Sequence, residues 1–340
     1  MDDAAIRNRW IRFFDMDSDV RTLYQVHYKP GLGPRPWPYA DNEDQRVSWA
    51  LEHYESMLRA REVVADDRIP FLAPYTGTEI FAQAFGCGVY CSGDNMPFAL
   101  PRIHSASQVK SLRIPSVFAP PLERVFRIAR RLRDRYPDAL MQLPDIQSPF
   151  DIAALIWEKG EFYAACLDEP EAVLELCHKV EALLTGFLDE WFRLFGTDYI
   201  AHYPEYFVRG GMTLSEDEAG AISPRMFETF CLPPLQRLNE RYGGLCIHCC
   251  ANSEPQWDNF ARIPGLRLLN LNQPGPVMKR AFKRFAPVVA QMHDWIGEGE
   301  PGPAWREYMP DEAHIVLYTS ARTDDEARRA LERLRSVREG

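Results

Sequence analysis

The stretch Gly244-Leu-Cys-Ile-His-Cys-Cys-Ala-Asn-Ser253 carries an imidazole and a thiol two residues apart. On a strand, side chains alternate between faces, so Cys246, His248 and Cys250 share one face while Ile247 and Cys249 share the other. Same-face neighbours one pleat apart stand roughly 7 Å apart at Cβ, and converging tips can then share a zinc ion. The same pattern also suits a buried strand whose small cysteines pack as hydrophobes around a hydrogen-bonded histidine. Which reading holds depends on what the fold brings to His248 and Cys250.

The elements that must position them follow a strand-then-helix rhythm. Candidate strands are Phe71–Tyr75, Gly88–Cys91, Leu140–Leu143, Asp198–His202, Leu245–Cys250, Leu266–Asn270, Pro287–Met292 and Ile315–Thr319. Helical patterns lie between them, several opened by a cap and a proline in the first turn, as at Ser223-Pro224. This is the size and rhythm of a (β/α)8 TIM barrel. No G-x-G-x-x-G turn follows the first strand, which argues against a doubly wound dinucleotide-binding sheet. Residues 1–66 read as an N-terminal helical extension covering part of the barrel, and 67–340 as the barrel itself. In the extension, Leu23-Tyr-Gln-Val26 is only a short apolar stretch. The proline-rich turn at 30–38 should lie ordered against the barrel, because Trp37 and Tyr39 offer area to bury.

Composition narrows the function. The 340 residues are 46% hydrophobic and 26% charged, ordinary for a soluble domain. With a net charge of −10 a nucleic-acid footprint is not expected, and the basic run Arg127–Arg135 reads as the solvated face of an amphipathic helix. No apolar run reaches the roughly 18 residues that span a bilayer, and the start Met1-Asp-Asp-Ala-Ala has no signal-peptide pattern. Eight cysteines, several inside apolar runs, point to a reducing cytoplasm rather than a disulfide framework.

In a barrel, chemistry belongs at the carboxyl ends of the strands. Polar residues gather there: Tyr75 and Thr76, Cys91 and Asp94, Asp145 and Gln147, His202 and Glu205, His248 and Cys250, Asn270 and Asn272, His293 and Asp294. Strands end where apolar runs end, so part of this is solvation alone. Tyr75, Asp145 and Asp217 stand as candidate catalytic residues, Asp217 being the preferred member of the acidic Glu216-Asp-Glu218. Gln147, His202, Asn270 and Asn272 are candidate substrate contacts. One cavity is expected to hold His248, Asp145 and His293 together.

Several motifs in order carry a resemblance. They are Pro74-Tyr-Thr-Gly-Thr-Glu-Ile-Phe-Ala-Gln-Ala-Phe-Gly-Cys87, Asp145-Ile-Gln-Ser-Pro-Phe-Asp-Ile-Ala-Ala154, Leu214-Ser-Glu-Asp-Glu-Ala219, Ile222-Ser-Pro-Arg-Met-Phe-Glu-Thr-Phe230 and Ile247-His-Cys-Cys-Ala-Asn252. Over roughly residues 66–335 the chain resembles the uroporphyrinogen decarboxylase superfamily, which includes zinc-dependent, corrinoid-linked methyltransferases. The resemblance implies a (β/α)8 barrel and divides the function in two. The decarboxylase branch carries an Arg-x-Ala-Gly-Arg-Tyr loop near its N-terminus, and here the corresponding turn reads Pro34-Arg-Pro-Trp-Pro38. In the methyltransferase branch an H-x-C pair and a distant cysteine hold zinc, which keeps a substrate thiol ionised. That resemblance implies His248 and Cys250 as ligands, but the place of the third cysteine reads Leu317-Tyr-Thr-Ser-Ala-Arg322. A replacement ligand is expected from His293 or Glu205, with His202 and Cys91 as further options. The leading reading is therefore a methyl or one-carbon transferase working with a corrinoid protein or a folate-type acceptor. A metal-free lyase of the decarboxylase kind, using Asp145, is the alternative, and a barrel without chemistry is the third. A small-molecule substrate is implied throughout; the oligomeric state stays open, a homodimer included.

Overall fold

A computed structural model describes residues 2–296 and 303–339. At its centre are short strands, mostly apolar and buried on both faces, as a barrel wall inside a ring of helices requires. In chain order the described strands, with the separate pair β3 and β4 included, are β1 (Thr22–His27), β2 (Phe71–Leu72), β3 (Gly88–Tyr90), β4 (Phe98–Leu100), β5 (Leu140–Gln142), β6 (Asp198–Ile200), β7 (Phe207–Arg209), β8 (Met212–Ser215), β9 (Leu245–Cys249), β10 (Leu266–Pro274), β11 (Ala290–Gln291), β12 (Asp294–Ile296) and β13 (Ile315–Ser320). One run pairs in the order β1-β13-β11-β10-β9-β8, with β12 beside β10, and a second runs β2-β5-β6-β7. Backbone bonds join the two runs at both seams. On one side Asp67 N–H donates to Tyr24 O at 2.8 Å; on the other, Ser215 N–H donates to Ile146 O at 2.9 Å and Ser148 N–H to Ser215 O at 2.8 Å. The sheet is the closed α/β barrel that the rhythm of the sequence predicts.

Three local assignments change. Gly88–Cys91 is not part of the wall: β3 pairs antiparallel with β4 in a hairpin whose side chains are largely exposed. Conversely, Met212–Ser215 is a wall strand beside β9. The stretch around Leu23–Val26 also belongs to the wall, since β1 pairs in parallel with β13 from Thr22 opposite Ile315 to His27 opposite Ser320. Residues 1–66 thus contribute helices Asp3–Phe14 and Glu43–Val63 and a strand as well, so the sheet crosses the boundary expected at residue 66.

Helix patterning explains the rest. Helix Pro170–Phe195 buries Val173, Leu176, Cys177, Val180, Leu184, Phe187, Leu188 and Trp191, an apolar stripe at three- and four-residue spacing. Helix Pro149–Ile156 opens with Ser148, whose hydroxyl oxygen accepts the Asp151 N–H at 3.0 Å, and with Pro149 in the first turn. That start places Asp151 behind the end of β8. Trp10 ties the first helix to the barrel by donating its indole N–H to Asp67 O at 2.7 Å. Among the described residues no helix is long and apolar enough to cross a membrane.

Candidate functional site

A cleft of about 520 Å³ is lined by residues from the carboxyl ends of the strands, Asp145, Gln147, His202, Asp217 and His248 among them. Its size falls in the range of small-molecule sites.

Asp217, His248 and Cys250 bring one nitrogen, oxygen or sulfur atom each to within 4.8 Å of one another. Strand register produces this cluster. Ser215 lies opposite His248 in the β8–β9 pair, so the chain leaving β8 delivers Asp217 beside the chain leaving β9. His248 Nε2 stands 4.0 Å from Asp217 Oδ1, and the Cys250 N–H donates to the same oxygen at 2.6 Å. Asp217 is itself held from behind: its N–H donates to Asp151 Oδ2 at 2.7 Å, and the Glu218 N–H to Asp151 Oδ1 at 3.0 Å. Burial, then the neighbouring Glu216 and Asp217 carboxylates, raise Asp151 well above the usual carboxylate range.

Asn270 fixes the imidazole. It lies opposite His248 in the β9–β10 register, and its Oδ1 is bonded to His248 Nδ1. Its Nδ2 donates to Met292 O, which assigns Oδ1 as the acceptor. His248 Nδ1 therefore carries a proton, and Nε2 is turned to Asp217. Orientation of a ligand histidine through its other nitrogen is the usual support of a metal site. The outer side of Cys250 is open, yet the packing around its sulfur, then the Asp217 carboxylate, pushes the thiol up to about 12.

A second pair lies in the same cleft. His202 Nε2 is 3.4 Å from Asp145 Oδ2. Burial raises the Asp145 carboxyl, while His202 and His248 work in the opposite direction. The Asp145 N–H donates to Thr76 Oγ1 at 2.9 Å, which anchors this turn to the end of β2. Tyr75 has φ +28°, a left-handed conformation unusual for a bulky residue and typical of functional sites. Its ring lies under the Arg35 guanidinium, and its hydroxyl donates to Met96 Sδ at 2.8 Å. Gln147 Oε1 and His202 Nδ1 are buried without a partner among the described residues.

Other sequence candidates lie elsewhere. His293, expected as a ligand and in the cavity, uses both ring nitrogens internally: Nδ1 accepts the Leu271 N–H at 3.0 Å and Nε2 contacts Gln291 Oε1 at 2.9 Å. Burial holds it down to about 3, and it does not line the cleft. Glu205, the other expected ligand, lines the cleft but is taken by Lys29 at 3.5 Å and Arg68 at 3.3 Å. Burial works against its charge, but Lys29, His27 and Arg68 outweigh it and hold the carboxylate well below its usual range. Asn270 is fully buried behind His248, so its place is support rather than substrate contact. Asn272 does not line the cleft, and Cys91 is exposed in the loop that joins β3 to β4.

Some cleft residues carry no signal in the strand pattern. Tyr203 directly follows His202; its ring meets His248 edge-on at 5.0 Å, and its hydroxyl donates to Asp294 Oδ2. Lys29, Arg35, Trp37, Trp49 and His53 reach the cleft from the segment before residue 66. The basic and aromatic character of the turn Lys29–Tyr39 was the one cue to this.

The chain matches the sequence profile of the family described as uroporphyrinogen decarboxylase (URO-D) over residues 75–289. Among solved structures it is similar to a methyltransferase from Methanosarcina mazei, with a TM-score of 0.66 at 11% identity over 98% of each chain. At that identity the likeness concerns the fold. No curated protein matches the sequence.

Proposed function

Because this chain belongs to the uroporphyrinogen decarboxylase family, we propose that it is an enzyme of that barrel type that uses zinc to transfer a methyl or related one-carbon group. Its partner in this reading is a corrinoid protein or a folate-type acceptor. The observation that carries the reading is the convergence of Asp217, His248 and Cys250. The donor set of one oxygen, one nitrogen and one sulfur suits zinc, and three protein ligands leave room for substrate. In this reading Asp217, from the end of β8, serves as third ligand instead of a cysteine near Ser320 at the end of β13.

His248, Cys250 and Asp217 would hold the ion, with Asn270 and Asp151 fixing two of them from behind. Bound there, zinc would stabilise the thiolate form of a substrate thiol at neutral pH. Asp145 and His202 form a proton-exchanging pair on the same cleft wall, placed to take the proton such a substrate gives up. Tyr203 packs against His248 and narrows the solvent access to its ring.

Zinc retention tests this directly. Wild-type protein loaded with zinc and dialysed should keep about one equivalent by elemental analysis. His248→Ala, Cys250→Ala and Asp217→Ala should lose it while keeping their circular dichroism. Retention well below one equivalent in the wild type would remove the transferase reading. The metal-free lyase would then take its place, with the Asp145–His202 pair as its acid and base.

A further inference from the structure

A second set of polar side chains lines the same cleft, supplied by the chain after β1 and by helix Glu43–Val63. Their charges are not balanced. Glu205 is shared by Lys29 and Arg68, and Arg68 also donates to Val26 O at 3.0 Å. The Arg35 guanidinium has no hydrogen bond and no carboxylate among the described residues; it rests 3.7 Å from the centroid of the Tyr75 ring. A guanidinium stacked on an aromatic face keeps its donor edge free, and that planar fork matches a carboxylate.

His53 supplies an independent observation. It is 1% exposed, it lines the cleft, and neither ring nitrogen has a hydrogen-bond partner. Buried polar groups are bonded as a rule, so an unpartnered imidazole on a cavity wall marks a place for a ligand atom. It is also stacked on Trp49 at 4.9 Å, within a wall that includes Trp37 and Tyr75. Such a surface favours a flat, apolar body.

We infer that the cleft takes a small planar molecule bearing one carboxylate, an aromatic monocarboxylate in the simplest case, with the carboxylate at Arg35, Lys29 and His53 and the ring against Trp37, Trp49 and Tyr75. A single charge follows from the single unpaired guanidinium, since Arg68 is already engaged. The inference deepens the proposed function by naming its substrate class and rests on that reading of the cleft, but it does not require the metal.

The test is calorimetric titration of the full chain, zinc-free and zinc-loaded, with three probes. Benzoate carries both features, benzamide the shape without the charge, and cyclohexanecarboxylate the charge without the flat ring. Benzoate should bind at least about tenfold more tightly than either, since a charge-assisted pair at the exposed Arg35 is joined by a hydrogen bond from the buried His53. Arg35→Gln should weaken benzoate about tenfold or more and leave benzamide unchanged, and Arg35→Lys should fall between. His53→Phe should weaken benzoate as well. Equal affinity for benzoate and benzamide, no benzoate binding at millimolar concentration, or an unaffected Arg35→Gln variant would overturn the carboxylate assignment. Cyclohexanecarboxylate binding as tightly as benzoate would overturn the flat body. Charge-selective binding in a protein that retains no zinc would sink the transferase reading and leave this one standing; zinc retention without selectivity would do the reverse.

Discussion

The Cys250 thiol makes zinc affinity a function of pH. With its pKa pushed up to about 12 by packing and by Asp217, it is protonated at neutral pH. Filling the site with zinc must therefore expel that proton, because the thiolate is the ligand. One proton released per ion bound makes the affinity rise ~10-fold per pH unit, or ~100-fold between pH 7 and 9. A thiol near its ordinary pKa of about 8.5 would instead ionise within that window, and the slope would bend towards zero. Competition against a chromophoric chelator at each pH, corrected for the chelator's own protonation, measures the slope. Cys250→Ala should bind weakly and lose it. A pH-independent affinity, or the same slope in Cys250→Ala, would refute both the ligand role and the raised thiol.

Three substitutions separate support from ligation. Asn270→Ala removes the acceptor of the His248 Nδ1 proton and should lower zinc affinity about 10–100-fold in the same competition assay. Asp151→Ala leaves the Asp217 and Glu218 N–H groups without their acceptor and should cost about tenfold in zinc affinity, with a normal circular dichroism spectrum. His293→Leu leaves the Leu271 N–H unpaired, which should cost about 1–3 kcal/mol in urea unfolding while zinc stoichiometry is unchanged. Loss of zinc from that last variant would restore His293 as a ligand.

The strand-and-helix rhythm was legible because parallel strands buried on both faces leave continuous apolar runs, as in Ile315–Leu317 of β13. The His248–Cys250 pair was legible for a different reason, since alternation along one strand is local geometry. Asp217 as their companion depended on the β8–β9 register, and β8 was hidden: it has four residues and follows Gly210-Gly211 directly after the β6–β7 hairpin. Gly88–Tyr90 has the composition of a wall strand, but its partner is the exposed β4. His293 misled because its position at a strand end says nothing about which neighbours claim its nitrogens. The cleft residues before position 66 were out of reach for a plainer reason, as β1 pairs with the far end of the chain.

That pairing also sets the order in which the molecule can be completed. β1 leaves the ribosome early, but its six-residue ladder is with β13, so it waits for nearly the whole chain to be made. Lys29, Arg35 and Trp37 follow directly after β1, and their places in the cleft depend on where that strand docks. During synthesis the strand ends around His248 can assemble first, while the basic, aromatic side of the cleft is added at the last step. A nascent or C-terminally shortened chain would therefore carry an open, half-built cleft, its ligand-gripping wall missing until β13 closes the ring.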